Sequence, residues 1–142
     1  MAAAQLPFKL VTPTGILFDQ PVREVTAVNV RGEFGVLPEH VNFITALLPG
    51  ILTVVLADGG QHFYLVSGGL AEVRDGQLTV LARTAERAED VTGDDLTNAL
   101  MQAEEKLRRL SFYEPEYQNA QNELQLVRAR QQAMAIARSA AH

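Results

Sequence analysis

Leu70-Ala71-Glu72-Val73-Arg74-Asp75-Gly76-Gln77-Leu78-Thr79-Val80-Leu81-Ala82 is the stretch that sets the fold class. Two β-rich runs, 70–74 and 77–82, stand on either side of Asp75-Gly76. A two-residue Asp-Gly loop supplies the positive φ angles of a type I′ hairpin, so the stretch reads as two antiparallel strands. The same grammar recurs toward the N-terminus. Runs 51–57 and 62–67 flank Asp58-Gly59-Gly60, a second hairpin signal. Val22 to Val30 reads as a longer strand, and Ile16 to Phe18 as a short one that stops before Gln20-Pro21. Leu6 to Thr12 runs into Pro13-Thr14-Gly15, which places proline and glycine where a type I turn takes them. Nine of the ten glycines and five of the six prolines precede residue 88, so this part of the chain is built from turns. About nine or ten short strands in that span imply an antiparallel β-sandwich or a flattened barrel.

Beyond residue 88 the period changes. Leu96, Leu100, Ala103, Leu107 and Leu110 recur at spacings of four, three, four and three, a helical seam. Asp94 or Asp95 is suited to cap its start, with carboxylates at the positive end of the helix dipole. Ser111 to Glu114 interrupts the pattern, and Pro115 suits the first turn of a second helix. Tyr117, Ala120, Leu124 and Val127 then carry a matching seam. A short break between two such seams predicts an antiparallel two-helix hairpin. The expected organisation is therefore a sandwich over 1–88 and a hairpin over 89–142. Past Val127 the seam degrades to Gln131, Met134 and Arg138, amid alanines from Ala129 to Ala141. Alanine favours helix but buries little area, so the distal helix is expected to pack weakly. At ~1.5 Å per residue a helix over 116–139 is roughly 35 Å long, and one over 94–110 is about 10 Å shorter. The overhang must rest on the sandwich, on another chain, or in solvent.

Composition removes several classes of function. The chain has 142 residues and a formal net charge of −5. Eight acidic and six basic residues lie in 1–88 and nine and six in 89–142, so neither part has the basic stripe of a nucleic-acid binder. With no cysteine there is no disulfide framework, thiolate metal site or cysteine nucleophile. The longest apolar run, 46–57, is broken by Pro49, Gly50 and Thr53 and falls short of the ~20 residues that span a bilayer. Met1 to Leu10 lacks the basic and apolar regions of a secretory signal, which predicts an intracellular protein not itself inserted in a membrane. His40, His62 and His142 show no metal-ligand spacing. Ser67-Gly68-Gly69 lacks the preceding glycine of a nucleophile elbow, and no Gly-Lys pair exists for a phosphate-binding loop. Glu104-Glu105 and Asp94-Asp95 lie in helical stretches, where solvated faces or caps account for them. No catalytic residue, metal or cofactor is expected.

One segment stands out, Val28 to Gly50: a strand, a turn with Gly32 and Gly35, a short strand and a proline-anchored loop. Arg31 and Glu33 fall at the exposed tip. Gly32, Glu33, Gly35, Val36, Pro38 and His40 together resemble the Gly-Glu-x-Gly-[Ile/Val]-x-Pro-x-His pattern of the ε subunit family of F-type ATP synthases. Three further blocks resemble that family in order and spacing. They are Thr45-Ala46 with Pro49-Gly50; Phe63 to Gly69 with Glu72-Val73; and Leu78 to Ala82 with Thr84-Ala85. The resemblance covers about 6–90, and the hairpin agrees in architecture more than in residues.

The resemblance implies a rotor subunit without an active site of its own, peripheral to the cytoplasmic face of a bacterial inner membrane. The equivalent mitochondrial subunit, δ, on the matrix side, is the variant reading. It implies that the sandwich docks on the γ subunit, with Pro38 and His40 near γ. It implies that Arg31, Gly32 and Glu33 face the polar loops of the c-ring. A hydrogen-bonded loop role is the equal alternative for His40, and Gly68-Gly69 reads as close strand packing. Val41-Asn42 and Arg83 depart from the family pattern, where Ala-Pro and Asp are common.

In that family the hairpin can extend into the catalytic α and β subunits and inhibit hydrolysis, and some members bind ATP through a motif resembling [Ile/Leu]-Asp-x-x-Arg-Ala. Here Asp95 and Ala99 remain, but Asn98 stands in place of the arginine, so little or no ATP binding is expected. No acidic residue follows Glu123, leaving Arg128, Arg130 and Arg138 as candidate contacts with acidic catalytic subunits. At ~100° per residue they spread over about 160°, which also suits a solvated basic helix end. The competing reading is an unrelated β-sandwich interaction module that oligomerises through its helical hairpin.

Overall fold

The computed structural model describes residues 4–93 and 96–140. Ten strands form two five-stranded sheets: β1 Leu6–Thr12, β2 Gly15–Val22, β3 Glu24–Asn29, β4 Gly32–Val36, β5 Phe43–Leu47, β6 Gly50–Val55, β7 Gln61–Val66, β8 Gly69–Arg74, β9 Gln77–Ala82 and β10 Ala85–Arg87. One sheet runs β2-β1-β9-β8-β5 and the other β10-β7-β6-β3-β4. All pairings are antiparallel except β1 with β9. Alternate residues such as Phe8, Leu10, Val54, Tyr64, Val73 and Val80 point between the sheets and form the main core. The β8–β9 hairpin closes through Asp75 (φ 51°) and Gly76 (φ 78°), the paired positive angles of a type I′ turn.

Two strand boundaries differ from the expectation. β2 runs through Pro21 to Val22 rather than ending at Phe18. It is an edge strand, where a missing N–H is tolerated. The expected long strand 22–30 is cut at Arg23, where the chain crosses from one sheet to the other. The corner is held by Arg23 N–H to Val55 O (2.8 Å) and by the Arg23 guanidinium to Ala57 O (2.9 Å).

A 3-10 turn, Ala88–Asp90, leads to α1, Leu96–Arg108, and α2, Glu116–Ala140. The capping role expected of Asp94 or Asp95 lies outside the described residues. α1 ends at Arg108, two residues before its expected end, and α2 runs on well past it; the start expected for α1 at 94 lies outside the described residues. The overhang rests on the sandwich. Ala129 and Ala133 are buried against Ile51, Leu65, Ala88 and Val91 on the outer face of the second sheet. The distal helix was expected to pack weakly for want of large side chains. Instead its alanines let the helix backbone approach the sheet closely, while Leu126, Met134 and Ile136 flank the contact.

Candidate docking surfaces

The outer face of the first sheet carries an apolar row across all five strands. Ala46 pairs with Leu70, Leu70 with Leu81, Leu81 with Val11, and Val11 with Ile16. Directly paired residues share a face, so these side chains form one stripe about 19 Å long at ~4.8 Å per strand. Ile16, Leu70 and Leu81 are 57%, 38% and 51% exposed. The next row along the strands is Ile44, Glu72, Thr79, Lys9 and Asp19, which is mostly polar. The stripe is therefore bounded on that side, as an interface core is by its rim. It sits where β1 and β2 slip register, Leu17 being the extra residue of a bulge between Leu10 and Val11.

The loop joining β4 to β5 leads into the edge strand of this sheet. Pro38 and His40 are half-buried, while Leu37 and Val41 are exposed. The His40 Nδ1–H donates to Val41 O at 2.8 Å, and its ring lies 4.9 Å from that of Phe43. This hydrogen bond ties the ring to its own loop, beside Phe43 of β5, an edge strand.

The β3–β4 turn projects from the sandwich. Val30 is 86% exposed, Arg31 and Glu33 are exposed, and Gly32 adopts φ 111° with nothing within 4 Å of where a Cβ would stand. Asn29 Oδ1 accepts from Arg31 N–H at 2.9 Å and shapes the tip. Leu48 N–H donates to Val28 O at 3.0 Å, tying the apolar end of β5 to the strand that carries the turn.

In the hairpin, Leu124, Ala103 and Ala120 are buried, whereas Leu96, Leu100, Leu107, Leu110, Tyr117 and Val127 are half-buried. Lys106–Glu123 at 3.0 Å and Arg128–Glu104 at 3.6 Å bridge the helices beside the seam. Arg130 reaches back to the sandwich, donating to Glu86 Oε1 at 3.1 Å and Thr92 O at 2.7 Å. Arg138 is exposed in the last turn of α2. The three arginines thus face three environments: α1, the sandwich and solvent. Asn98 is exposed beside a groove of about 550 Å³ that Met101, Lys106 and Leu110 also line. Asp95, the retained acidic residue of the nucleotide motif, lies outside the described residues.

Between the open edges of the two sheets lies a cluster of polar groups. His62 is set edge-on to Phe18 at 6.0 Å and tilted against Tyr64 at 6.5 Å. The Arg87 guanidinium lies 5.6 Å from the centre of the Tyr64 ring and 3.4 Å from Glu89. Burial, and then Arg87, hold the His62 imidazole below its usual 6.5, against opposing pulls from Glu89 and Asp58. Burial raises the Tyr64 hydroxyl above 10.0, partly offset by Arg87. Among the described residues no group of His, Asp and Glu is arranged to hold a metal ion, and no helix is long and apolar enough to cross a membrane.

Sequence reading missed the apolar row and the Arg130 clamp. The row had a visible signal: Leu70 and Leu81 are apolar on the face that alternation assigns to solvent. Arg130 had none, because its partners lie 44 and 38 residues away.

A sandwich with a bounded apolar face, a presented turn and a docked helical hairpin defines a docking subunit of a larger assembly. Comparison with known proteins names the assembly. Residues 5–88 match the family model of the ATP synthase delta/epsilon chain β-sandwich domain. The ATP synthase epsilon chain of Nitratidesulfovibrio vulgaris (strain DP4) is 44% identical over 105 residues, 74% of this chain and 78% of that protein. That of Geobacter metallireducens is 40% identical over 131 residues, 92% and 94% of the two chains. A chain in the Euglena gracilis mitochondrial ATP synthase structure, containing OSCP, F1 and c-ring, superposes with TM-score 0.79 at 27% identity, covering 94% and 84%. One in the Tetrahymena thermophila mitochondrial central stalk and c-ring shares the fold, with TM-score 0.68 at 16% identity. The chain belongs to the ATP synthase delta/epsilon family. It is a non-catalytic subunit of the ATP synthase complex.

Proposed function

We propose that the chain couples rotation of the c-ring to the catalytic head by docking on γ through the outer face of its first sheet. The apolar row Ala46, Leu70, Leu81, Val11 and Ile16 carries this reading. A bounded stripe of exposed leucine and isoleucine on a flat sheet is a surface that a partner covers. Pro38 and His40, in the loop that leads into edge strand β5, complete the γ contact. Arg31, Gly32 and Glu33 meet the polar loops of the c-ring, at a tip joined to the γ face through Leu48 and Val28. The subunit is peripheral, held at the cytoplasmic face of the membrane by these two partners.

The hairpin is a regulatory element. Released from the sandwich, Arg130 joins Arg128 and Arg138 in contacting acidic surface on the α and β subunits, and ATP hydrolysis falls. The competing reading, oligomerisation through the hairpin seam, is disfavoured because Leu124 and Ala103 already bury that seam within one chain.

Co-sedimentation of the full chain with γ tests the dock, with Leu70→Asp and Leu81→Asp introduced singly. Each places a charge at the centre of the row while its site stays outside the core. Binding by wild type and at least about tenfold weaker binding by both variants is expected, ~1.4 kcal/mol or more. Undiminished binding by both variants refutes the face assigned to γ.

A further inference from the structure

β10 is three residues long and, among the described residues, pairs only with β7. Its two faces hold different parts of the molecule. Glu86 accepts from Arg130 of α2, and Arg87 turns inward beside Tyr64. The next residues, Ala88 and Val91, form part of the seat for the alanines of α2. Whatever loosens β10 therefore loosens that seat.

The inward face holds a proton-sensitive arrangement. His62 Nδ1 and Arg87 Nε are both buried with no hydrogen-bond partner among the described residues. A neutral imidazole leaves Nδ1 as an unfilled acceptor, a modest cost. A protonated ring instead holds a buried N–H without an acceptor and a second positive charge beside Arg87. Phe18 from β2 and Tyr64 from β7 wall the ring and offer it no carboxylate. The charged groups facing it are Arg87 on β10, Glu89 on the 3-10 turn and Asp58 on the β6–β7 loop. Glu89 is already paired with Arg87 at 3.4 Å.

We propose that β10 is a proton-sensitive strap: acidification charges His62 beside Arg87, loosens β10 from β7, and unseats the 3-10 turn on which the distal half of α2 rests. The sign follows from the direction of the shift. Seated, His62 holds its proton less tightly than the ordinary 6.5; released, it returns to that value. Above 6.5 the ring is neutral in both states and pH has no effect. Below it the released form takes up the proton first, so the strap weakens until the seated ring also titrates. This holds whatever partner covers the first sheet.

Amide hydrogen exchange of the full chain at about pH 8 and about pH 5.5, each corrected for intrinsic exchange, reads the strap directly. The expected result is a severalfold loss of protection over 85–91 and in the distal half of α2 at the lower pH, with β1 and β9 unchanged. In His62→Gln that loss disappears. Protection of 85–91 that is flat with pH in wild type, or an equal loss in His62→Gln, overturns the proposal. A proton NMR titration of His62 in the wild-type chain is the second readout. A midpoint below 6.5 that rises in Arg87→Gln supports the strap, and a midpoint at or above 6.5 overturns it.

Discussion

Replacing Gly69 with alanine tests how closely β8 and β9 approach. Gly69 adopts φ 150°, a conformation that residues with a Cβ rarely take. Its partner across the ladder is Ala82. A Cβ built there falls inside contact with Leu81 O and lies 2.9 Å from Ala82 Cα and 3.0 Å from Leu81 C. These atoms are backbone, so no side chain can swing aside and β9 itself must move. The unfavourable backbone conformation costs ~1–3 kcal/mol. Displacing packed neighbours costs about 1–3 kcal/mol more. The sum, about 2–6 kcal/mol, is a large part of the ~5–15 kcal/mol that holds a typical domain together. At the ~2–4 °C per kcal/mol that applies near this chain length, the melting midpoint falls by roughly 4 °C at the least. Gly76→Ala is the internal control. Its φ is 78° and nothing lies within 4 Å of a Cβ, so only the backbone term applies. Thermal unfolding followed by far-ultraviolet circular dichroism compares the two. If Gly69→Ala loses no more than Gly76→Ala, the steric argument is wrong. The position also bears on the proposed docking face, since Leu70 follows it in β8 and pairs with Leu81.

Two further outcomes concern the hairpin. Ala133→Leu adds three carbons to a fully buried site and costs ~1–3 kcal/mol; we expect faster exchange of distal α2 amides with the sandwich unchanged, and uniform destabilisation of both parts would contradict a local seat. Arg130→Ala removes the clamp on Glu86 and Thr92 O. The ion pair is partly exposed, so it contributes only ~0.5–1 kcal/mol, and the bond to the carbonyl adds about 1 kcal/mol. Distal α2 should then exchange severalfold faster, and the Glu86 share of that effect should shrink in high salt, whereas an unaltered exchange rate would remove Arg130 as a clamp.

Much of the sandwich was legible because its signals are local. Asp75-Gly76 requires a tight turn wherever it occurs, and the chain on either side follows into a hairpin. The seams of α1 and α2 are equally local, since period and a proline-marked break suffice to predict two antiparallel helices. The end of β2 was misjudged because Pro21 stops a strand only when its N–H is needed, and edge position is a property of the assembled sheet. The presented turn at Arg31 to Glu33 was readable from its glycines. The row from Ala46 to Ile16 was not, because its five residues come from strands whose order and register no local signal states.

By itself the sequence determined the strand-rich and helical parts, the tight turns and the family, each written in spacing and residue type over short stretches. Only the tertiary structure decided where the overhang of α2 rests and which arginine holds it there. It alone also joined five separated apolar residues into one face. These outcomes depend on pairing between distant segments, such as β1 with β9 and Glu86 with Arg130. Such pairs are chosen by the closing of the whole core, in which alanine matters for how near it lets a helix come rather than for the area it buries.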